Sequence, residues 1–515
     1  MSIASAAGKY LFLFLLFLLI FPETKGQIVK TERLEIPIIE AESGSEPRSK
    51  AIGLAENGLM VYRRIRGQLE DQLEMIKLDT TLKEDWKGYI VVPKDLSIAH
   101  IQYSNNIIYF LFKHQTLVGG DFQIVAVRAG NGKTTIYTVK NLIPFNPTDF
   151  VITPSAALVG GYFNYRPLVL YYNFTDQASK ILPGFLNELG ELNQLKAYPD
   201  GSLDVIVCAK NLEKKKSLWI RNYNSQGNLI KTTVLEPGQN KHLVFGRSVT
   251  LENGDQVVAG VYGRFADYSR GIFVAGVNPV GEYAIRYYNF GDLRNFFSYM
   301  KIRKQKRIRN RIERRRDHGR KVKFNYRFLI HDIIPYHDQY IMTGEAFYPH
   351  YTYASNSAYG RSRGFYPSST LYSVQPNYRG DLIFDGYQYT HAVVVGFDKN
   401  GKIQWDNSFE INDVKTPQLE QFVKVKPEKD RIVMMYLFDN DLRSKIIRNS
   451  EVLEGKTKES AGPKTRASKI DDGADRNEEL DFWYGNYFFA YGVQKVKQKS
   501  GPPLRIFYVN KITYK

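Results

Sequence analysis

A turn signal followed directly by an apolar strand recurs seven times along this chain, and few folds accommodate such a pattern. The copies are Glu56-Asn57-Gly58 before LMVYRR, Ser104-Asn105-Asn106 before IIYFLF, Thr153-Pro154-Ser155 before AALVGGYF, and Pro199-Asp200-Gly201 before SLDVIVCA. Glu252-Asn253-Gly254 before DQVVAGVYG, Tyr336-His337-Asp338 before QYIMTGEAF and Glu428-Lys429-Asp430 before RIVMMYLF complete the set. Asn-Gly and Asp-Gly tolerate the positive φ of tight hairpins, which gives the signal its mechanism. The turns are spaced by about 48, 49, 46, 53, 84 and 92 residues. A second turn follows most of the first ones, most clearly at Asn224 to Gly227, Asn278 to Gly281 and Asp398 to Gly401. Four strands per unit of this length is the period of a β-propeller blade. The pattern predicts an all-β, seven-bladed β-propeller over residues 44–515, with blades starting near 48, 96, 144, 188, 241, 327 and 417. Tyr (36) and Phe (31) are abundant, as a strand-rich chain requires.

The hairpin GFDKNGKIQWD (Gly396 to Asp406) resembles the blades of quinoprotein-like propellers, and the whole chain looks like secreted propeller-like proteins of Gram-negative bacteria. The resemblance implies the fold and a secreted location. It does not bring a quinone, because Cys208 is the single cysteine and the vicinal pair of some quinoproteins cannot form. Asp398 to Gly401 reads as a hairpin turn rather than a calcium loop, which needs glycine at position six and glutamate at twelve. No cofactor and no metal is expected, and Cys208 reads as a small buried hydrophobe.

Residues 1–26 read as a signal peptide: Lys9, the 12-residue apolar run Tyr10 to Phe21, then Thr24-Lys25-Gly26 before a cut preceding Gln27. Twelve helical residues rise about 18 Å, short of the roughly 30 Å hydrocarbon core. No later segment has 18 consecutive apolar residues, so no transmembrane segment is expected and the protein is expected to be exported, periplasmic or extracellular. Residues 27–43 read as an N-terminal extension or edge strand, with Leu34 to Ile39 near the ring closure.

Strand parity assigns a working face. If both tight turns of a blade lie at one end, the second-to-third and blade-to-blade connections lie at the other, and all the excess length falls into those two classes. The insertions are 290–326 (basic), 347–389 (Tyr-rich) and 439–483 (polar, read as disordered). Long loops on a rigid scaffold are where binding usually resides. Residues 301–323 carry 13 basic residues against Glu313 and Asp317, a local +11 of the chain's +18, and read as a short solvated helix or flexible arm. Arg314, Arg315 and Arg316 are its densest point. The Tyr-rich insertion offers Tyr348, Tyr351, Tyr353 and Tyr366 for stacking, with Arg361 and Arg363 as forks for an acidic group.

The expected function is an exported binding or scaffold propeller. Its partner would be an anionic polysaccharide, an envelope component or a protein; nucleic acid is not expected of an exported chain. The alternative is a carbohydrate-active hydrolase or lyase with Glu345 and His391, at the two edges of the Tyr-rich insertion, as an acid/base pair. His331-Asp332 and His337-Asp338 are six residues apart, but parity sets them too far apart to share a metal.

Overall fold

A computed structural model describes residues 28–38, 49–115, 119–185, 189–264, 268–320, 322–353, 382–417, 419–460, 478–496 and 504–514. The expected signal peptide lies outside the described residues.

Alternating apolar strands separated by tight turns pair with their sequence neighbours, and the described residues form eight antiparallel sheets. Blades one to seven take 50–92, 96–139, 146–181, 190–235, 242–289, 327–410 and 424–460. The eighth combines Glu479–Tyr484, Tyr487–Val496 and Leu504–Tyr514 with the N-terminal strand Ile28–Pro37, which pairs with Leu504–Tyr514 as its outer edge. The ring is thus closed by strands from both ends of the chain.

Eight blades correct the expected seven. Segment 439–483, read as an insertion, contains Asp441–Arg448 and Glu451–Ser460, the outer half of blade seven, and most of the first strand of blade eight. Only 461–477 within it lie outside the described residues. Leu504–Tyr514 accordingly completes blade eight rather than blade seven. The missed repeat is Tyr484-Gly485-Asn486 before YFFAYGV; its Gly-Asn order disguises a turn in which Gly485 has φ +50°.

The period-two pattern of the second strands explains how the blades hold together. Ile108, Phe110 and Phe112 pack with Met60, Tyr62 and Met75 of blade one, while Tyr109 and Leu111 pack with Val159, Leu168 and Leu170 of blade three. The same sharing continues round the ring and closes between blade eight (Phe489, Phe507, Val509) and blade one (Leu59, Val61, Ile76). Each sheet is apolar on both faces because both are covered by a neighbour. The fourth strands of blades one, two, four and five are mostly exposed or half-buried, whereas Ile403–Glu410 of blade six is mostly buried. The first strands of blades two to five carry a register shift at one comparable place, such as Ile98/His100 and Pro147/Asp149. Among the described residues no helix is long and apolar enough to cross a membrane.

Candidate functional site

First-to-second and third-to-fourth connections are tight turns at one end of the sheets. In blade two, Asn105 and Asn106 both have positive φ, the geometry of the preferred two-residue hairpin. In blade six, the Asp398 carboxylate accepts from the Asn400 and Lys402 amides, both at 2.9 Å, as a turn brace. The opposite end carries the elaborations around blade six.

The basic segment contains a 16-residue helix, α1 (Ile302–Asp317), in the connection from blade five to blade six. Its approach is pinned: the Asp406 carboxylate accepts from the Arg294 and Asn295 amides at 2.9 and 2.6 Å, and the Ser298 and Ser408 hydroxyls meet at 2.7 Å. Gln305 Nε2 then donates to the Ser298 and Met300 carbonyls at 3.1 and 2.6 Å, tying the first turn down. Ile308 and Ile312, four residues apart and hence on one helix face, pack with Met300 and Phe324 against the core shared by blades five and six. All nine Lys and Arg side chains of α1 are exposed, with Arg314, Arg315 and Arg316 in its last turn, where the helix dipole favours cations. Arg316 meets Asp292 at 3.8 Å. The result is a rigidly placed rod of net charge +7, counting Glu313 and Asp317.

The anchors give a prediction. Replacing Ile308 and Ile312 by Ser removes the docking contacts without touching any blade. We expect the thermal midpoint to move little and trypsin to cut within α1 far sooner than in the wild type. Equal cleavage rates would show that the helix holds its place without these anchors.

The Tyr-rich insertion begins as strand rather than loop. The second and third strands of blade six, Gln339–Tyr353 and Leu382–Asp398, stay paired beyond the ring to Tyr353 opposite Leu382, with register shifts at Ala346/Phe347 and Pro349/Tyr351. Phe347, Tyr387 and Tyr389 are buried, and Tyr351 packs edge-on against Phe384, which packs on Tyr387. These rings order the arm. Asp385 clamps it, with His350 Nδ1 at 3.2 Å and the Lys415 ammonium in contact from the connection to blade seven. Tyr348 is exposed. Tyr353 is placed by its backbone alone; Arg361, Arg363 and Tyr366 lie outside the described residues.

Glu345 and His391 are not brought together. Cross-strand partners share a sheet face; Glu345 is paired with Ala392 and Ala346 with His391, so the two side chains leave blade six on opposite faces. On the face towards blade seven, Glu345 is buried and accepts from the Phe422 amide at 3.1 Å and the Val423 amide at 2.5 Å. His331 Nε2 lies 3.1 Å from its Oε2. On the face towards blade five, His391 is fully buried, stacked on Tyr299 at 3.8 Å between ring centroids and edged by Phe296. Its Nδ1 meets the Thr390 hydroxyl at 2.9 Å, and burial lowers its pKa to about 3. One side chain fastens a loop and the other fills an aromatic slot. His331, the partner of Glu345, was not foreseen: it lies in the irregular stretch of the first strand between Ile330 and Ile333, where alternation gives no orientation.

His337 Nε2 meets the Lys429 carbonyl at 2.7 Å, at the end opposite α1 and apart from His331. Cys208 is buried with Sγ 3.3 Å from the Leu243 carbonyl, and burial pushes its thiol up to about 12.

No family model and no curated protein matches the chain. Among solved structures, the chain is similar to the polysaccharide lyase Uly1, at 9% identity and a TM-score of 0.39, covering 81% of this chain and 91% of that one. It is also similar to the β-propeller domain of the Trilobed protease from Pyrococcus furiosus, described as having an open velcro topology. That match has 10% identity and a TM-score of 0.36 over 80% of this chain and 93% of the other. Likenesses this distant carry no functional argument.

Proposed function

We propose that this protein is a binding module that works outside the cytoplasm and holds an anionic polymer or anionic envelope component at the α1 end of the ring. The observation that carries this reading is α1 itself: nine exposed cations on a helix fixed by Ile308 and Ile312. A solubilising loop needs no such fixing, whereas a fixed array of cations concentrates polyanions and releases their counterions. The apolar run at residues 10–21 supports the assignment outside the cytoplasm. Exposed Tyr348 stands at the same end, and Arg361, Arg363 and Tyr366 follow it in the same insertion of the sequence as further candidate contacts.

The test is retention on an immobilised sulfated polysaccharide at low salt. Changing Arg314, Arg315 and Arg316 to Ala should leave the thermal midpoint nearly unchanged, since exposed charges contribute about 0–1 kcal/mol each. Retention should fall, most of all at low ionic strength. Unchanged retention at low salt would reduce α1 to a solvated ornament.

A further inference from the structure

The two ends of the ring differ in a second way. Among exposed large apolar side chains in connections between described strands, Leu69, Leu142, Tyr165, Leu189, Leu212 and Tyr268 all sit at the α1 end. Val280 alone sits at the other. The six come from connections in or after blades one to five, so the bias extends over five of the eight blades. Leu69, Tyr165 and Leu212 occupy second-to-third strand tips and are almost wholly exposed; Ile302, which opens α1, is exposed too. Scattered surface leucines need no explanation, but six against one at two ends built by the same repeat is a directional bias.

We infer that the anion recognised by α1 is a layer of lipid headgroups, with Leu69, Tyr165, Leu212 and Ile302 entering the interface while the α1 cations engage the acidic headgroups. This rests on the reading of α1 as an anion-binding element. A polysaccharide is gripped by charge and hydrogen bonds and gives isolated leucine tips nothing to enter. A bilayer surface accepts shallow apolar insertions, and each cation near an anionic leaflet adds attraction. The tip connections 66–70, 164–165 and 211–215 together carry only +1, with Arg66, Lys214 and Lys215 against Glu70 and Glu213, whereas α1 carries +7. Attraction therefore comes from α1 and anchoring from the tips.

The experiment is co-sedimentation with phosphatidylcholine vesicles with and without phosphatidylglycerol, alongside retention on the sulfated polysaccharide. Three proteins are compared: wild type, Leu69→Ser with Tyr165→Ser and Leu212→Ser, and the Arg314, Arg315, Arg316 to Ala variant. Wild type should bind phosphatidylglycerol vesicles and not pure phosphatidylcholine. The tip variant should lose vesicle binding by about tenfold or more while keeping polysaccharide retention. The arginine variant should lose both. A tip variant that binds vesicles as wild type does, or wild type that binds neutral vesicles equally, overturns the lipid inference and leaves the anion reading standing. An arginine variant with both activities intact overturns the anion reading itself.

Discussion

Replacing Glu345 by Ala will destabilise the protein by about 3–5 kcal/mol, the cost of leaving buried groups without their charged partner. The carboxylate accepts from the Phe422 and Val423 amides and faces His331 in a site that is 1% exposed, so water cannot take its place. Those two amides belong to the connection that starts blade seven, and its path depends on them. The check is the denaturation midpoint of the variant, with Glu345→Gln as an intermediate, since an amide oxygen can still accept one of these bonds. A variant of wild-type stability that lost turnover on a polysaccharide would instead make Glu345 a reacting group, as the hydrolase or lyase alternative requires.

The second large effect is on pH dependence. Burial holds His391 at a pKa of about 3, against about 6.5 for an unfolded histidine. As pH falls below 6.5 the unfolded chain takes up a proton that the folded chain refuses, so the imidazole's contribution to stability declines by about 1.4 kcal/mol per unit until pH reaches about 3. Phe in the same aromatic slot, between Tyr299 and Phe296, has no proton to gain. The stability difference between wild type and His391→Phe should therefore shift towards the variant by about 2 kcal/mol between pH 7.5 and pH 5. A difference independent of pH would mean that the imidazole takes up its proton as readily in the fold as in the unfolded chain.

What the sequence reveals follows burial. Second strands such as Ile107–His114 and Gln256–Gly263 carry unbroken apolar runs, Ile107 to Phe112 and Val257 to Gly263, because neighbours cover both faces, and the turns before them stand out for that reason. The outer strand Glu451–Ser460 is almost wholly exposed and reads as polar loop, which hid half a blade. The eighth blade is split between the two ends of the chain, so its four strands never appear as one repeat. The basic segment is legible as charge, and its anchors Ile308 and Ile312 at helical spacing are legible too, although poor overall amphipathicity masks them. The separation of Glu345 and His391 onto opposite faces was not legible. Both flank the same insertion, but which face each takes depends on register, and that is set by pairing rather than by position along the chain. The same holds for the tyrosines: alternation in the arm sends Tyr387 and Tyr389 inward and leaves Tyr348 outside. The clamp at Asp385 depends on Lys415, 30 residues away, and no local pattern marks it.

The most direct measurement is the salt dependence of affinity for a soluble anionic polymer, taken for wild type and for the Arg314, Arg315, Arg316 to Ala variant. Each cation that displaces a condensed counterion adds about 0.7–0.9 to the slope of log affinity against log salt. Removing three cations that engage the polymer should make the slope shallower by about two to three, with the folded state and the thermal midpoint unchanged. Identical slopes for the two proteins would contradict anion binding at α1.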